Sequence, residues 1–149
     1  MNGPRLAALQ DYIETRIPLT RHLAVRLREW EETQLWMQAP LAANINDKGT
    51  MFAGSQSALL SLAGWALTTL LGEQQRGAPV DVVAVESSLR YLLPLDGDTE
   101  IIAEVDREDL AGFRQRLADR GRARLRVTAR AQRPDGETAA RYEGIYLTR

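Results

Sequence analysis

From Phe52 to Leu71 the chain is apolar around nearly the whole circumference of a helix, and no other segment constrains the fold as much. Ala58, Leu59, Leu60, Leu62, Ala63, Trp65, Ala66, Leu67 and Leu70 leave no polar stripe to offer to water. Such a helix must be wrapped by other elements. Its densest part, Ala58 to Leu71, is too short for a bilayer, which takes about 20 residues. It is therefore expected in a protein core. Gly54 and Gly64 each cost about 1 kcal/mol of helix propensity. The gain expected in return is close approach of another backbone.

The flanking residues supply the wrapping. Leu6, Leu9, Tyr12, Ile13 and Ile17 recur at helical spacing, so Pro4 to Arg16 reads as a short amphipathic helix, with Pro18 stopping it. From His22 the period changes to two. Leu23, Val25 and Leu27 form one face of a strand, and Leu35, Met37 and Ala39 form a second strand after the polar Glu31–Glu32–Thr33 turn. Residues 40–51 are a loop leading into the apolar helix. After a polar break, Glu73 to Pro79, come strands at Val82 to Leu92 and Thr99 to Val105, joined by the turn Pro94 to Asp98. Arg107 to Asp119 fits either a short helix or an extended excursion. Gly121 then opens the cleanest alternation in the chain. Ala123, Leu125, Val127, Ala129 and Ala131 point inward, and Arg122, Arg124, Arg126, Thr128 and Arg130 point outward. Pro134–Asp135–Gly136 turns the chain into a last strand, Thr138 to Leu147. The order predicts an α+β layer fold, a curved antiparallel sheet around one long helix.

At 149 residues the chain is expected to be one domain, 1–149. It has no cysteine, so it has no disulfide framework, thiolate nucleophile or cysteine zinc site. With a single histidine, His22, read as structural at the start of the first strand, neither a Ser–His–Asp triad nor a transition-metal site is expected. No cofactor is expected. Met1 to Arg21 lacks the apolar core of a secretory signal, which argues for the cytoplasm. A net charge of −1 gives no general pull toward nucleic acid. The chain has one lysine, Lys48, and three asparagines, Asn2, Asn44 and Asn46, a scarcity suggesting a GC-rich gene. That Asn44, Asn46 and Lys48 still fall within five residues marks this segment as chosen.

The run Ala39 to Ser55, with Asn44–Ile45–Asn46–Asp47–Lys48–Gly49–Thr50–Met51–Phe52 at its centre and Leu62–Ala63–Gly64–Trp65 after it, resembles a known signature. It is similar to the thioesterase domain that some bacteria carry fused behind an N-acetyltransferase domain, a member of the hotdog superfamily. The likeness extends to Ile17–Pro18–Leu19–Thr20 and to Ser87 through Pro94, and so to about the whole chain, here without an acetyltransferase partner. The resemblance implies a homodimer, or a dimer of dimers, whose sheets join edge to edge, with acyl sites at the subunit interface. It implies an acyl-CoA or acyl-carrier-protein substrate.

Within that frame, the N-terminus of the buried helix is the natural site. Its free N–H groups and positive dipole end would polarise a thioester carbonyl and hold the oxyanion near Ala53 and Gly54. Gly49, Thr50, Phe52, Ala53, Gly54 and Ser55 are the expected substrate-binding residues. Good loop and capping chemistry explains the same residue types. Asp47 is the nearest carboxylate and the candidate general base, with Asn46 orienting water or substrate; a turn cap is the alternative for Asp47. The resemblance also implies a carboxylate about two turns into the helix, but Ser61 holds that register, able to bond a water and unable to act as a strong base alone. Ser87 is expected on the inward face of its strand with Val83, Val85, Leu89 and Tyr91, either as a satisfied core hydroxyl or facing the acyl site. Lacking a loop histidine, the chain is a weaker match to a hotdog dehydratase.

Eight arginines lie between Arg114 and Arg133. A solvated face is their default reading, and a docking surface for CoA phosphates or an acidic carrier protein is the sharper one. No base-stacking aromatics are interleaved, which argues against nucleic acid. Two functions follow, a thioesterase or a non-catalytic dimer that binds acyl thioesters.

Overall fold

The structure, a computed structural model, describes residues 2–149. Its elements run α1 (Gly3–Arg16), α2 (Leu19–Leu23), β1 (Arg26–Glu31), β2 (Gln34–Ala39), a 3-10 turn at Ala42–Asn44, α3 (Ala53–Arg76), β3 (Val82–Tyr91), β4 (Thr99–Glu104), α4 (Arg107–Arg120), β5 (Ala123–Gln132) and β6 (Thr138–Thr148). The strands form one antiparallel sheet in the order β1-β2-β4-β5-β6-β3. It wraps α3, as the all-round apolar surface of that helix requires. The inward side chains of β2, β4, β5 and β6 bury Leu59, Leu60, Ala63, Ala66, Leu67 and Leu70 of α3 almost completely. On β5 the alternation holds along the whole strand. α3 runs past Leu71 through the exposed Glu73–Arg76 turn and ends where Gly77 adopts φ +71°, a left-handed cap that glycine takes without cost.

The undecided segment after β4 is a helix. Asp106 accepts hydrogen bonds from the N–H groups of Glu108 (3.0 Å) and Asp109 (3.2 Å), and Leu110, Phe113 and Leu117 fill its buried stripe. Gly64 is crowded by a ring and not by a backbone: a Cβ there would collide with Tyr146. The Tyr146 hydroxyl donates to the Ser61 carbonyl at 2.8 Å and lies 2.6 Å from the Tyr142 hydroxyl.

Two sequence expectations need correction. His22 belongs to α2 and not to a strand. Pro18 starts that single turn, and the Thr20 hydroxyl ties it to the Ile13 and Ile17 carbonyls, both at 2.8 Å. Ala24 then reverses the chain at φ +54° before β1 begins. In β3, Val83 does not share a face with Ser87. A bulge lies between Ala84 and Glu86, so Val83 pairs with outward Leu147, whereas Ser87, Leu89 and Tyr91 pair with inward Gly144, Tyr142 and Ala140.

The two edges of the sheet are treated differently. On β1, α1 supplies the missing partners. The Gln10 amide donates to the Val25 carbonyl (3.0 Å) and accepts from the Leu27 N–H (2.8 Å), and Asn2 donates to the Trp30 carbonyl (2.6 Å). On the outer edge of β3 the described residues supply one such bond, from the Trp65 indole N–H to the Val82 carbonyl at 3.1 Å, and Val85 and Tyr91 are about half exposed there. No described helix is long and apolar enough to cross a membrane.

Candidate active site

The loop between β2 and α3 is built by its asparagines. Asn44 is buried and donates to the Leu23 and Pro40 carbonyls, both at 2.9 Å, while its own carbonyl accepts from the Phe52 N–H at 2.8 Å. Asn46 is the staple of the tip. Its Oδ1 accepts from the N–H groups of Lys48 (2.8 Å) and Thr50 (3.0 Å), and its Nδ2 donates to the Thr50 hydroxyl (2.9 Å). Gly49, at φ +85°, makes the tight return possible. The Met51 N–H then anchors the loop to the Leu95 carbonyl at 2.8 Å.

These bonds deliver the chain to the first turn of α3 in a defined pose. Phe52 is still extended (φ −58°, ψ 133°), and the first helical bond runs from the Gln56 N–H to the Phe52 carbonyl at 3.1 Å. The N–H groups of Ala53, Gly54 and Ser55 find no acceptor among the described residues, and no side chain caps the helix. Three donors at the positive end of a 24-residue helix are therefore free for an oxygen that carries developing charge. The Phe52 ring, 56% exposed, folds across Gly54, where a Cβ would crowd it. Gly54 thus makes room first for this ring. Tyr91 of β3 donates its hydroxyl to the Ala53 carbonyl at 3.2 Å, tying the open edge strand to the same turn.

The structure thus brings Phe52, Ala53, Gly54 and Ser55 together beside Tyr91, with Asn46, Gly49 and Thr50 forming the loop that feeds them. Asp47 stands at the loop tip, 82% exposed, with its carboxylate 3.0 Å from the Lys48 ammonium. Ser61 lies further along α3, and its hydroxyl has no partner among the described residues. Its carbonyl takes the Tyr146 hydroxyl. Ser87 faces the helix side of β3, opposite Gly144, and is exposed to solvent. Burial, and then the hydrogen bond to Tyr142, push the Tyr146 phenol well above its ordinary range, so Tyr146 stays protonated and serves the packing of α3.

The sequence did not point to Gln56. It is buried, its Nε2 holds the Met51 carbonyl at 3.0 Å, and its Oε1 is buried without a partner. The available signal was a lone amide in the first turn of an otherwise apolar helix. Tyr91 was visible only as an inward strand residue, because its contact with Ala53 depends on tertiary packing.

A family model described as "Putative thioesterase (yiiD_Cterm)" matches residues 6–149. A putative thioesterase from Shewanella oneidensis superposes with a TM-score of 0.81 at 26% identity, covering 96% of each chain. A protein of unknown function from Chlorobaculum tepidum gives 0.85 at 24% identity over 95% of this chain and 92% of that one. A Pseudomonas aeruginosa protein called a probable thioesterase gives 0.78 at 25% identity over 96% and 95%.

Proposed function

The chain belongs to the family described as Putative thioesterase (yiiD_Cterm), with the hotdog fold of its structural neighbours, and on that premise we propose that it hydrolyses acyl thioesters of coenzyme A or acyl carrier protein at a site completed where two copies meet along β3. The observation that carries this reading is the uncapped first turn of α3. Its free N–H groups at Ala53, Gly54 and Ser55 sit beside an unpaired strand edge that presents Tyr91.

In this account the thioester carbonyl rests against the Ala53 and Gly54 N–H groups. Water attacks the carbonyl carbon, the oxyanion is held at the helix terminus, and the thiol departs as the carbonyl re-forms. Asp47 takes the proton from the attacking water and returns it to the sulfur as the C–S bond breaks, which requires the second copy or the substrate to cover its exposed loop tip. Asn46 and Thr50 hold the loop, since their polar atoms are already used in it. Phe52 forms a movable wall over the turn. Ser61 and Ser87, whose hydroxyls have no partner among the described residues, face the acyl group or its water. The second reading, a dimer that binds acyl thioesters without hydrolysing them, draws support from one observation: the helix register expected to hold a carboxylate holds Ser61.

The two are separated by thiol release from a panel of acyl-CoAs. Asp47→Asn is expected to lower kcat by about 10²–10⁴ with KM and folding unchanged, and Ser61→Ala to cost much less. Wild-type rates in Asp47→Asn would reduce Asp47 to a loop residue. Tight binding with no turnover by the wild type would establish the second reading.

A further inference from the structure

The outward arginines fall into two groups that the sequence could not separate. Arg114 pairs with Glu32 at 3.4 Å, Arg130 with Glu104 at 3.2 Å, and Arg133 with Asp96 at 3.3 Å and Asp135 at 3.2 Å. Arg126 pairs with Glu143. These belong to a solvated ladder of balanced charge on the sheet and its turns. Arg116, Arg120, Arg122 and Arg124 make no ion pair within 4 Å among the described residues, yet all four line one hollow of about 430 Å³ with Ala123 and Leu147. The hollow forms where the last turns of α4 meet the start of β5. The Arg116 guanidinium donates to the Arg124 carbonyl at 3.2 Å, which draws the two elements together. Asp109 lines the neighbouring depression with Arg116 and Arg124, and Asp119 lies on α4, but neither pairs with the four. A chain of net charge −1 has thus gathered four uncompensated guanidinium groups around one concavity.

We propose that Arg116, Arg120, Arg122 and Arg124 bind the multiply phosphorylated end of a coenzyme A thioester. Guanidinium groups recognise phosphate oxygens in bidentate pairs, and four of them exceed what one phosphodiester can neutralise. The pantetheine arm of a carrier protein brings one phosphodiester, whereas coenzyme A brings a diphosphate and a 3′-phosphate. Placement agrees, and here the inference rests on the thioesterase reading and its dimer. Arg76 donates to the Gly121 carbonyl at 2.8 Å, so the hollow sits at the C-terminal end of α3, about 36 Å along the helix from its own N-terminus. A two-fold axis through the middle of β3 pairs the strands antiparallel and sets the partner's Val82 beside Tyr91. Val82 pairs with Thr148, and Thr148 with Ala123. The partner's hollow, on the outward face at the end of its sheet, then begins about three strand spacings, roughly 14 Å, from Tyr91, whose hydroxyl reaches the first turn of α3. One copy holds the thioester and the other holds its phosphates.

The test is calorimetric binding of adenosine 3′,5′-bisphosphate, which carries the 3′-phosphate and one of the two 5′-phosphates of coenzyme A and no thioester. The wild type is compared with Arg120→Ala/Arg122→Ala and with the ladder control Arg126→Ala/Arg130→Ala, each checked by thermal melting. Saturable, salt-sensitive binding by the wild type and the control, weakened about tenfold or more in Arg120→Ala/Arg122→Ala, is expected. That variant should also raise KM for acyl-CoA while leaving hydrolysis of short N-acetylcysteamine thioesters unchanged. Bisphosphate binding that requires the four arginines, in a protein that hydrolyses no thioester, would uphold the site and sink the thioesterase reading alone. No bisphosphate binding, equal binding by Arg120→Ala/Arg122→Ala, or competition by an acidic carrier protein only would overturn the proposal.

Discussion

Tyr146 shows how much one side chain settles. Its ring occupies the space that Gly64 leaves open, and its hydroxyl joins Tyr142 to the Ser61 carbonyl in the middle of α3. Burial first, and the Tyr142 bond second, raise its pKa above the unfolded value of about 10. The folded state therefore keeps a proton that the unfolded chain gives up. The stabilisation is complete below about pH 10 and is lost above it, by about 1.4 kcal/mol per pH unit. Urea unfolding of the wild type between pH 8 and roughly 11 should show this fall. Tyr146→Phe should flatten it while costing about 1–3 kcal/mol at neutral pH through the bonds left unmade. An unchanged slope in Tyr146→Phe would assign the pH dependence elsewhere. Nothing in the sequence announced this pair. Gly64 read as a place of close approach, but a contact 82 residues away in the chain cannot be inferred from spacing. Asn44 and Asn46 were legible as a chosen cluster, and the structure shows them spending their amides on the loop itself.

At the scale of elements, the apolar circumference of α3 and the alternation of β5 carried most of the fold, because each is a burial pattern written locally. The errors came where geometry breaks the period. Pro18 and Thr20 wind α2 where Leu23 and Val25 imitate a strand, and the bulge at Val85 flips the faces of β3 midway. The sheet edges are a third case, since the cover of β1 depends on Gln10 and Asn2 reaching across from α1. With that edge closed, β3 is the edge left to pair, and its bulge exposes an apolar Val85. A charge there should oppose pairing of two β3 strands. Val85→Lys is expected to raise the dimer dissociation constant by about tenfold or more without lowering the melting temperature of the monomer. Light scattering across a dilution series would check it. A wild type that is monomeric at micromolar concentration would remove the dimer from the account.

For the whole molecule, the account joins an uncapped helix terminus, an open strand edge and an exposed loop into a site that one copy leaves unfinished. Its central claim is that the N–H groups opening α3 hold the oxyanion of a hydrolysed thioester, and Ala53→Pro tests it with little structural disturbance. Proline is favoured at the first helical position, and Phe52 before it already has the extended conformation that proline demands. The substitution therefore deletes one donor and keeps the helix. The measurement is kcat for thiol release from acyl-CoA, compared at matched unfolding midpoints. The account predicts a loss of about 10²–10³ in Ala53→Pro, the usual cost of one oxyanion donor. Hydrolysis at the full wild-type rate would contradict it.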